Sequence, residues 1–312
     1  MKPIWIIMLL AIISLFILWM IPGEKFNFLS HSPISHFEVD STFAGPAKRG
    51  LLENEKITEA SGLVASRTHS NLLYTHNDSG GKPYIFILDK SGKHKGRITI
   101  TNVKNRDWED IAIGQDPETG KWYIYVGEIG DNEAKYPSIF IYKFEEPANL
   151  SKNVEVEAEI FELQYPSGPR DAETLMFDPL SQSLYIVTKR EKSNIIFKTQ
   201  IDQLNTENVT LLDSVGKLPF TSATAGDISP DGLEILVKNY KKVYYWTRQP
   251  GESVGSAMSR KPRQLNYIPE PQGEAISFNA SGTGYYTVSE VKKNIKPMLY
   301  FYEKMIDITS EP

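Results

Sequence analysis

The stretch "DWEDIAIG" at residues 107–114, followed by "WYIYVGEI" at 122–129, reads as two short strands joined by a turn. Asp107, Glu109 and Asp110 surround Trp108 just before the apolar run. Carboxylates packed this closely repel one another and resist burial unless something positive sits among them. Strands of the same kind recur on both sides. "SGLVAS", "NLLYTHN", "PYIFILD" and "GRITITNV" come before, and "SIFIYKF" and "VEAEIFELQY" complete the group that holds the opening pair. A third group contains "ETLMFD", "SLYIVTK", "NIIFKT" and "NVTLLDSV". A fourth contains "GDIS", "LEILVKN", "KVYYWT" and "RQLNYI". The last has only "EAISFN", "GYYTVSE" and "MLYFYEK" before the chain ends.

Groups of four strands recurring at roughly 47 to 64 residues are the signature of propeller blades. The expected fold is all-β, a β-propeller of five four-stranded blades over residues 35–312. A sixth blade enters if residues 190–225 or 248–270 hold further strands, and a β-sandwich is the competing architecture. The missing fourth strand of the last group is expected from the N-terminal side, where "SHFEVDSTFA" (residues 35–44) would close the ring.

The blade-start segments share an acid: Glu59 in "TEASGL", Asp107, Glu109 and Asp110 in "DWEDIA", Asp171 and Glu173 in "RDAETL", Asp227 in "TAGDIS", Glu274 in "QGEAIS". The first strand of each blade lines the channel, so these acids are expected to converge on the axis. Second strands end beside them. Those ends carry Asn77 and Asp78, Glu128 with Asp131 and Asn132, Lys189 and Arg190, Lys238 and Asn239, and Glu290. An all-oxygen donor set suits a hard cation, Ca²⁺ before Zn²⁺ or Cu²⁺, because the chain has no Cys and five His. The expected metal ligands are Glu59, Glu109, Asp110, Glu128, Asp131, Asp171, Glu173, Asp227 and Glu274. Asn77, Asp78, Lys238 and Glu290 are expected to contact a ligand. Glu109, Asp171, Arg170, Lys189 and Arg190 are the candidates for chemistry, since metal and guanidinium together suit an anionic oxygen ligand.

Plainer readings stand beside these. Each acid taken singly can cap a turn or pair with Arg106 or Arg170, and "GDN" at residues 130–132 can be a turn. "SPDG" (229–232) and "NASG" (279–282) read as hairpin turns, Trp108 as a wedge between blades, and His76 as a satisfied hydrogen bonder.

Composition narrows the function classes. The 312 residues, 40% hydrophobic and 11% aromatic, support a sizeable core, and a net charge of -5 gives no basic field for nucleic acid. Residues 3–23, "PIWIIMLLAIISLFILWMIPG", carry no charge. Their apolar part, residues 4–21, would span roughly 27 Å as a helix, enough for a hydrocarbon core. Residues 1–23 are therefore expected to be a membrane anchor or uncleaved signal and 24–34 a linker. Lys2 ahead of the run places the domain outside the cytoplasm, and bulky residues at the end of the run favour retention over cleavage; cleavage would make the protein secreted.

"DWEDIA", "VGEIGDN", "YPSGPRDAETLMFDP", "LYIVTKR", "TAGDISPDG", "GEAISF" and "YTVSE", in that order over roughly residues 55–303, resemble a family of exported bacterial β-propeller proteins. More distantly the chain is similar to the phytase-like and SdiA-regulated propellers. That resemblance implies Ca²⁺ and phosphoester chemistry; the family pattern "GDIGDN" has Glu128 here in place of its first Asp. Two function classes follow. One is a membrane-anchored, extracytoplasmic propeller binding a divalent cation and an anionic small molecule or envelope protein; the other is a metal-dependent hydrolase of phosphate or other esters. No Ser, His and Asp set supports a covalent route.

Overall fold

The computed structural model describes residues 39–150 and 152–305. The expected anchor and linker lie outside them, and among the described residues no helix is long and apolar enough to cross a membrane.

The chain begins with β1 (Val39–Asp40) and β2 (Ala47–Leu51), then builds five sheets in order. Blade one is β3 (Ala60–Ala65), β4 (Leu72–Asn77), β5 (Tyr84–Asp89) and β6 (His94–Ile100). Blade two starts with β7 (Trp108–Gln115), β8 (Trp122–Glu128) and β9 (Ile139–Glu145). The chain then steps back as β10 (Asn153–Val156) to pair in parallel with β6, before β11 (Glu159–Gln164) completes blade two. Blade three is β12 (Ala172–Asp178), β13 (Ser183–Thr188) and β14 (Ile195–Gln200), finished by β16 (Asp213–Lys217) after β15 (Thr210–Leu211) has joined the edge of β11. β17 (Ala223–Ile228), β18 (Glu234–Asn239), β19 (Val243–Thr247) and β20 (Arg263–Leu265) make blade four, with α1 (Val254–Ser259) packed through Val254, Ala257 and Met258 on the core that blades three and four share. Blade five is β21 (Gly273–Phe278), β22 (Gly284–Ser289) and β23 (Met298–Glu303).

The ring closes as expected, by an N-terminal strand on the last blade, but a few residues later. β2 supplies the antiparallel strand beside β23, and the expected segment 35–44 reaches that edge only at its end, where Phe43 bridges Lys304 and Ala44 N donates to Glu303 O at 2.7 Å. Val39 and Asp40 instead join the edge of β20 in parallel, and Phe43 is buried edge-on to Tyr245 and Tyr285 between blades four and five. The closing strand "AKRGL" is mostly exposed, so no apolar alternation marks it. Residues 190–225 and 248–270 add edge strands and α1 rather than a sixth blade. β1, β10 and β15 each cover an outer edge that would otherwise present unpaired backbone groups.

Inner strands β3, β12, β17 and β21 are buried at every residue, which explains why they read as nearly continuous apolar runs broken only by small residues and the acids. Trp108 is fully buried against His76 and Tyr142, at the seam of blades one and two, and is the expected wedge. The turns at residues 229–232 and 279–282 form, with Gly232 and Gly282 at φ 75° and 70°.

Candidate functional site: an acidic cluster at one mouth of the channel

All five inner hairpins share a feature that alternation cannot reveal. The pairing of first and second strand slips at Ala60/Leu63, Trp108/Asp110, Ala172/Thr174, Ala223/Ala225 and Gly273/Ala275, so each inner strand carries a β-bulge where it enters the channel. A bulge leaves a residue unpaired and re-aims its side chain. In blades two, three and five that residue is Glu109, Glu173 and Glu274; in blade four it is Thr224.

Three acids meet first. Carboxylate oxygens of Asp78, Asp107 and Glu109 lie within 4.8 Å of one another, and those of Glu109, Asp171 and Glu173 do the same, so Glu109 belongs to both sets. Two oxygens on one Ca²⁺ at about 2.4 Å are at most about 4.8 Å apart, so each set fits a single coordination shell. Glu109 is 2% exposed. Burial first, and then the charges of Asp78 and Asp107, push its carboxyl well above the usual range. Asp78 is pushed up to about 8 by burial, Asp107, Glu274 and Glu59, and Asp107 is raised by burial and Asp171 against the pull of Arg106. Around the ring, Glu290 is pushed up to about 9 by burial and by its hydrogen bond and charge contact with Glu274, whose Oε1 accepts from the Tyr240 hydroxyl at 2.7 Å.

Positive charge is present but outnumbered. Lys189 pairs with Glu173 and stands 4.0 Å from Glu274, and Arg190 donates to Asp171 Oδ2 at 2.5 Å and to Asn132. Asp78 Oδ1 and Asp131 Oδ1 are buried without a hydrogen-bond partner among the described residues. Asp131 is otherwise held in place, its N–H donating to Asp171 Oδ1 at 2.9 Å and its Oδ2 accepting from Tyr136 N at 2.7 Å. Buried acceptors normally find donors or cations, so these two oxygens are costly as they stand.

Gly130 of "GDN" is more than a turn residue. It is not among the positive-φ glycines, yet a Cβ there would run into the Glu109 and Asp107 carboxylates. Gly130→Ala is expected to displace both acids and destabilise the fold by about 1–3 kcal/mol, read from urea unfolding midpoints.

Other expected site residues sit elsewhere. Asp110 lies deeper in the channel, fully buried, where Oδ2 accepts from Leu175 N at 3.0 Å and Gly226 N at 3.4 Å and so ties blade two to blades three and four. Asp227 does likewise from blade four to blade five, accepting from Phe278 N at 2.8 Å and Ser277 Oγ at 3.2 Å. Glu128 accepts from Tyr142 at 2.8 Å and pairs with Arg106 at 3.4 Å. Arg170 pairs with Glu191 at 2.7 Å. Asn77 holds the backbone of Lys56 and Glu59, and Glu59 is exposed at the rim. Lys238 is wholly buried, donating to the Gly273 carbonyl beside Tyr267 and Glu270, and burial lowers its pKa to about 8. His76 is buried and held neutral, its pKa lowered to about 4. Asp110→Ala should cost about 2 kcal/mol or more by stranding the buried N–H groups of Ile111, Leu175 and Gly226, measurable by chemical denaturation, while leaving the acidic cluster intact.

Asp107, expected on the axis but left out of the ligand set, is inside the cluster. Gly130, read from "GDN" as a turn, packs against it, and Tyr240 was not anticipated.

No family profile matches the chain, and no curated protein matches it. Among solved structures, a chain of the nidogen/laminin complex aligns with TM-score 0.44 and 11% identity over 76% of this chain and 74% of that one. Hydrazine synthase of Kuenenia stuttgartiensis aligns with TM-score 0.42 and 9% identity over 81% and 98%.

Proposed function

We propose that the protein is an extracytoplasmic propeller, anchored through residues 4–21, whose acidic mouth binds a divalent cation, Ca²⁺ in preference to softer metals, and through it a ligand or partner. One observation carries this reading: the two carboxylate triads sharing Glu109. Their raised carboxyl pKa values mean that the charged cluster is costly by itself, and a cation relieves that cost. Oxygen-only donors of this number and flexibility suit Ca²⁺. Arg190, half exposed beside Asp171, and Lys189 are placed to receive an anionic group of the ligand.

Equilibrium dialysis of the full-length chain in detergent against ⁴⁵Ca²⁺ tests the reading. Saturable binding lost in Glu109→Gln and kept in Asp110→Ala supports it; binding unaffected by Glu109→Gln ends it.

The placement of Lys189 and Arg190 against the same acids also favours the second reading, hydrolysis of a phosphate or other ester. There a bound cation supplies Lewis-acid chemistry, while Arg190 and Lys189 hold the charge of the substrate's oxygens. A phosphoester screen with and without Ca²⁺ separates the two: turnover abolished by Asp171→Asn establishes hydrolysis, and binding without turnover leaves the first reading.

A further inference from the structure

The inner strands that carry the acids at one end form a second, different mouth at the other. A cavity of about 220 Å³ lies there, bordered by four of the five blades. Its walls are Ile113, Pro117, Trp122, Phe177, Pro179 and Pro230, largely rigid and apolar. The wall is built for close contact: a Cβ on Gly114 would collide with the Phe177 ring.

One charged group faces this space. Arg67 borders the cavity, its guanidinium 5.9 Å from the Trp122 ring, and its Nη1 is buried without a hydrogen-bond partner among the described residues. The two carboxylates that influence it are already committed. Glu146 accepts from Ser66 Oγ, Tyr74 Oη, Arg67 N, and Thr68 N and Oγ1. Asp227 accepts from Ile228 N, Ser277 Oγ and Phe278 N. Burial accordingly holds the guanidinium below its ordinary pKa, the charges of Asp227 and Glu146 opposing that shift. The other polar side chains of the lining are uncharged, and each already makes a hydrogen bond within the protein. Gln115 donates to Gly120 O, Gln182 to Pro179 O, and Ser229 to Asp231.

A single cationic group beside largely apolar walls selects its ligand by exclusion. A sugar would leave several hydroxyls unpaired against proline and aromatic carbon, and a phosphate would bring more charge than one guanidinium can match. We propose that this mouth binds a small monocarboxylate with a flat apolar body, a carboxylate oxygen accepting from the Arg67 guanidinium and the ring lying against Trp122 and the prolines. The charge-assisted bond fixes orientation and the walls exclude water.

The test uses the full-length chain in detergent, with benzoate as probe and benzamide as its uncharged counterpart, followed by titration calorimetry. Expected are one saturable benzoate site, benzamide weaker by about tenfold or more, and loss of the benzoate preference in Arg67→Met. Glu109→Gln, at the opposite mouth, should bind benzoate as the native chain does. The proposal is overturned by failure of benzoate to saturate by about 20 mM, by equal binding of benzamide, or by native affinity in Arg67→Met. The benzoate and benzamide comparison on the native chain decides the matter even where Arg67→Met does not fold, and Trp122→Ala, expected to weaken both probes alike, checks the wall separately.

Discussion

Millimolar Ca²⁺ is expected to raise the melting temperature of the full-length chain in detergent by about 5–10 °C, and Glu109→Gln to abolish the rise. A ligand at about a hundredfold its dissociation constant adds about 2.7 kcal/mol to the native state, and a domain of this size gains about 2–4 °C per kcal/mol. Glu109 is the right residue to change because its carboxylate is common to both triads. Asp110→Ala supplies the contrast: it removes an equally buried acid from the same strand, but one committed to Leu175 and Gly226 N–H groups. It should melt lower and still respond to Ca²⁺. A Ca²⁺ shift that survives Glu109→Gln would mean the ion sits elsewhere, and the acidic mouth would lose its proposed role.

The second large effect is a fall in stability with rising pH when Ca²⁺ is stripped away. Burial and neighbouring acids push Asp78 up to about 8 and Glu290 up to about 9. Both folded values exceed the unfolded ones, so over the intervening range the native state holds more protons than the unfolded chain. The contribution is fully present below the unfolded pKa values, near pH 4, and is lost as pH rises through 8 and 9. Between pH 5 and 9 the loss should be on the order of a few kcal/mol after solvent screening, because Asp78 is only partly buried. Cation binding displaces the same protons, so Ca²⁺ affinity should climb over the window in which the stripped chain weakens. Urea unfolding at pH 5, 7 and 9, with and without Ca²⁺, measures both slopes. Glu290→Gln should flatten the upper part of the stripped curve, and stability rising with pH in the stripped chain would contradict the assignment of these carboxyls.

Much of this molecule was legible before folding. Four strand groups and a three-strand remainder implied five blades and a ring closed from the N-terminal side, because each blade must bury both faces of its inner strands. The closing strand was misplaced by a few residues, since "AKRGL" lies exposed on the outer edge and has no face to bury. Convergence of acids was readable only in part: Asp107 and Glu109 crowd with Asp78, and Glu109 with Asp171 and Glu173, whereas Glu59 lies exposed and Asp227 is bound to blade five.

The membership of the cluster was not readable, and the bulges are the reason. A strand's alternation assigns each residue to a face only while register holds, and one extra residue reverses the assignment. At "WEDIA" the slip turns Glu109 to the mouth and leaves Asp110 to bridge three blades from within. At "TAGDIS" the slip falls at Thr224, and Asp227, three residues on, becomes a strut to blade five.

Composition and spacing by themselves determined an all-β chain of repeating strands, an apolar N-terminal segment and a recurrent acid at each blade start. Those properties are local, written in alternation and in the distance between turns. Tertiary structure alone decided which carboxylates crowd together, that Lys189 stands among them, and that Arg67 borders an apolar cavity at the far mouth. These depend on distances between blades, and such distances exist only once the ring is closed.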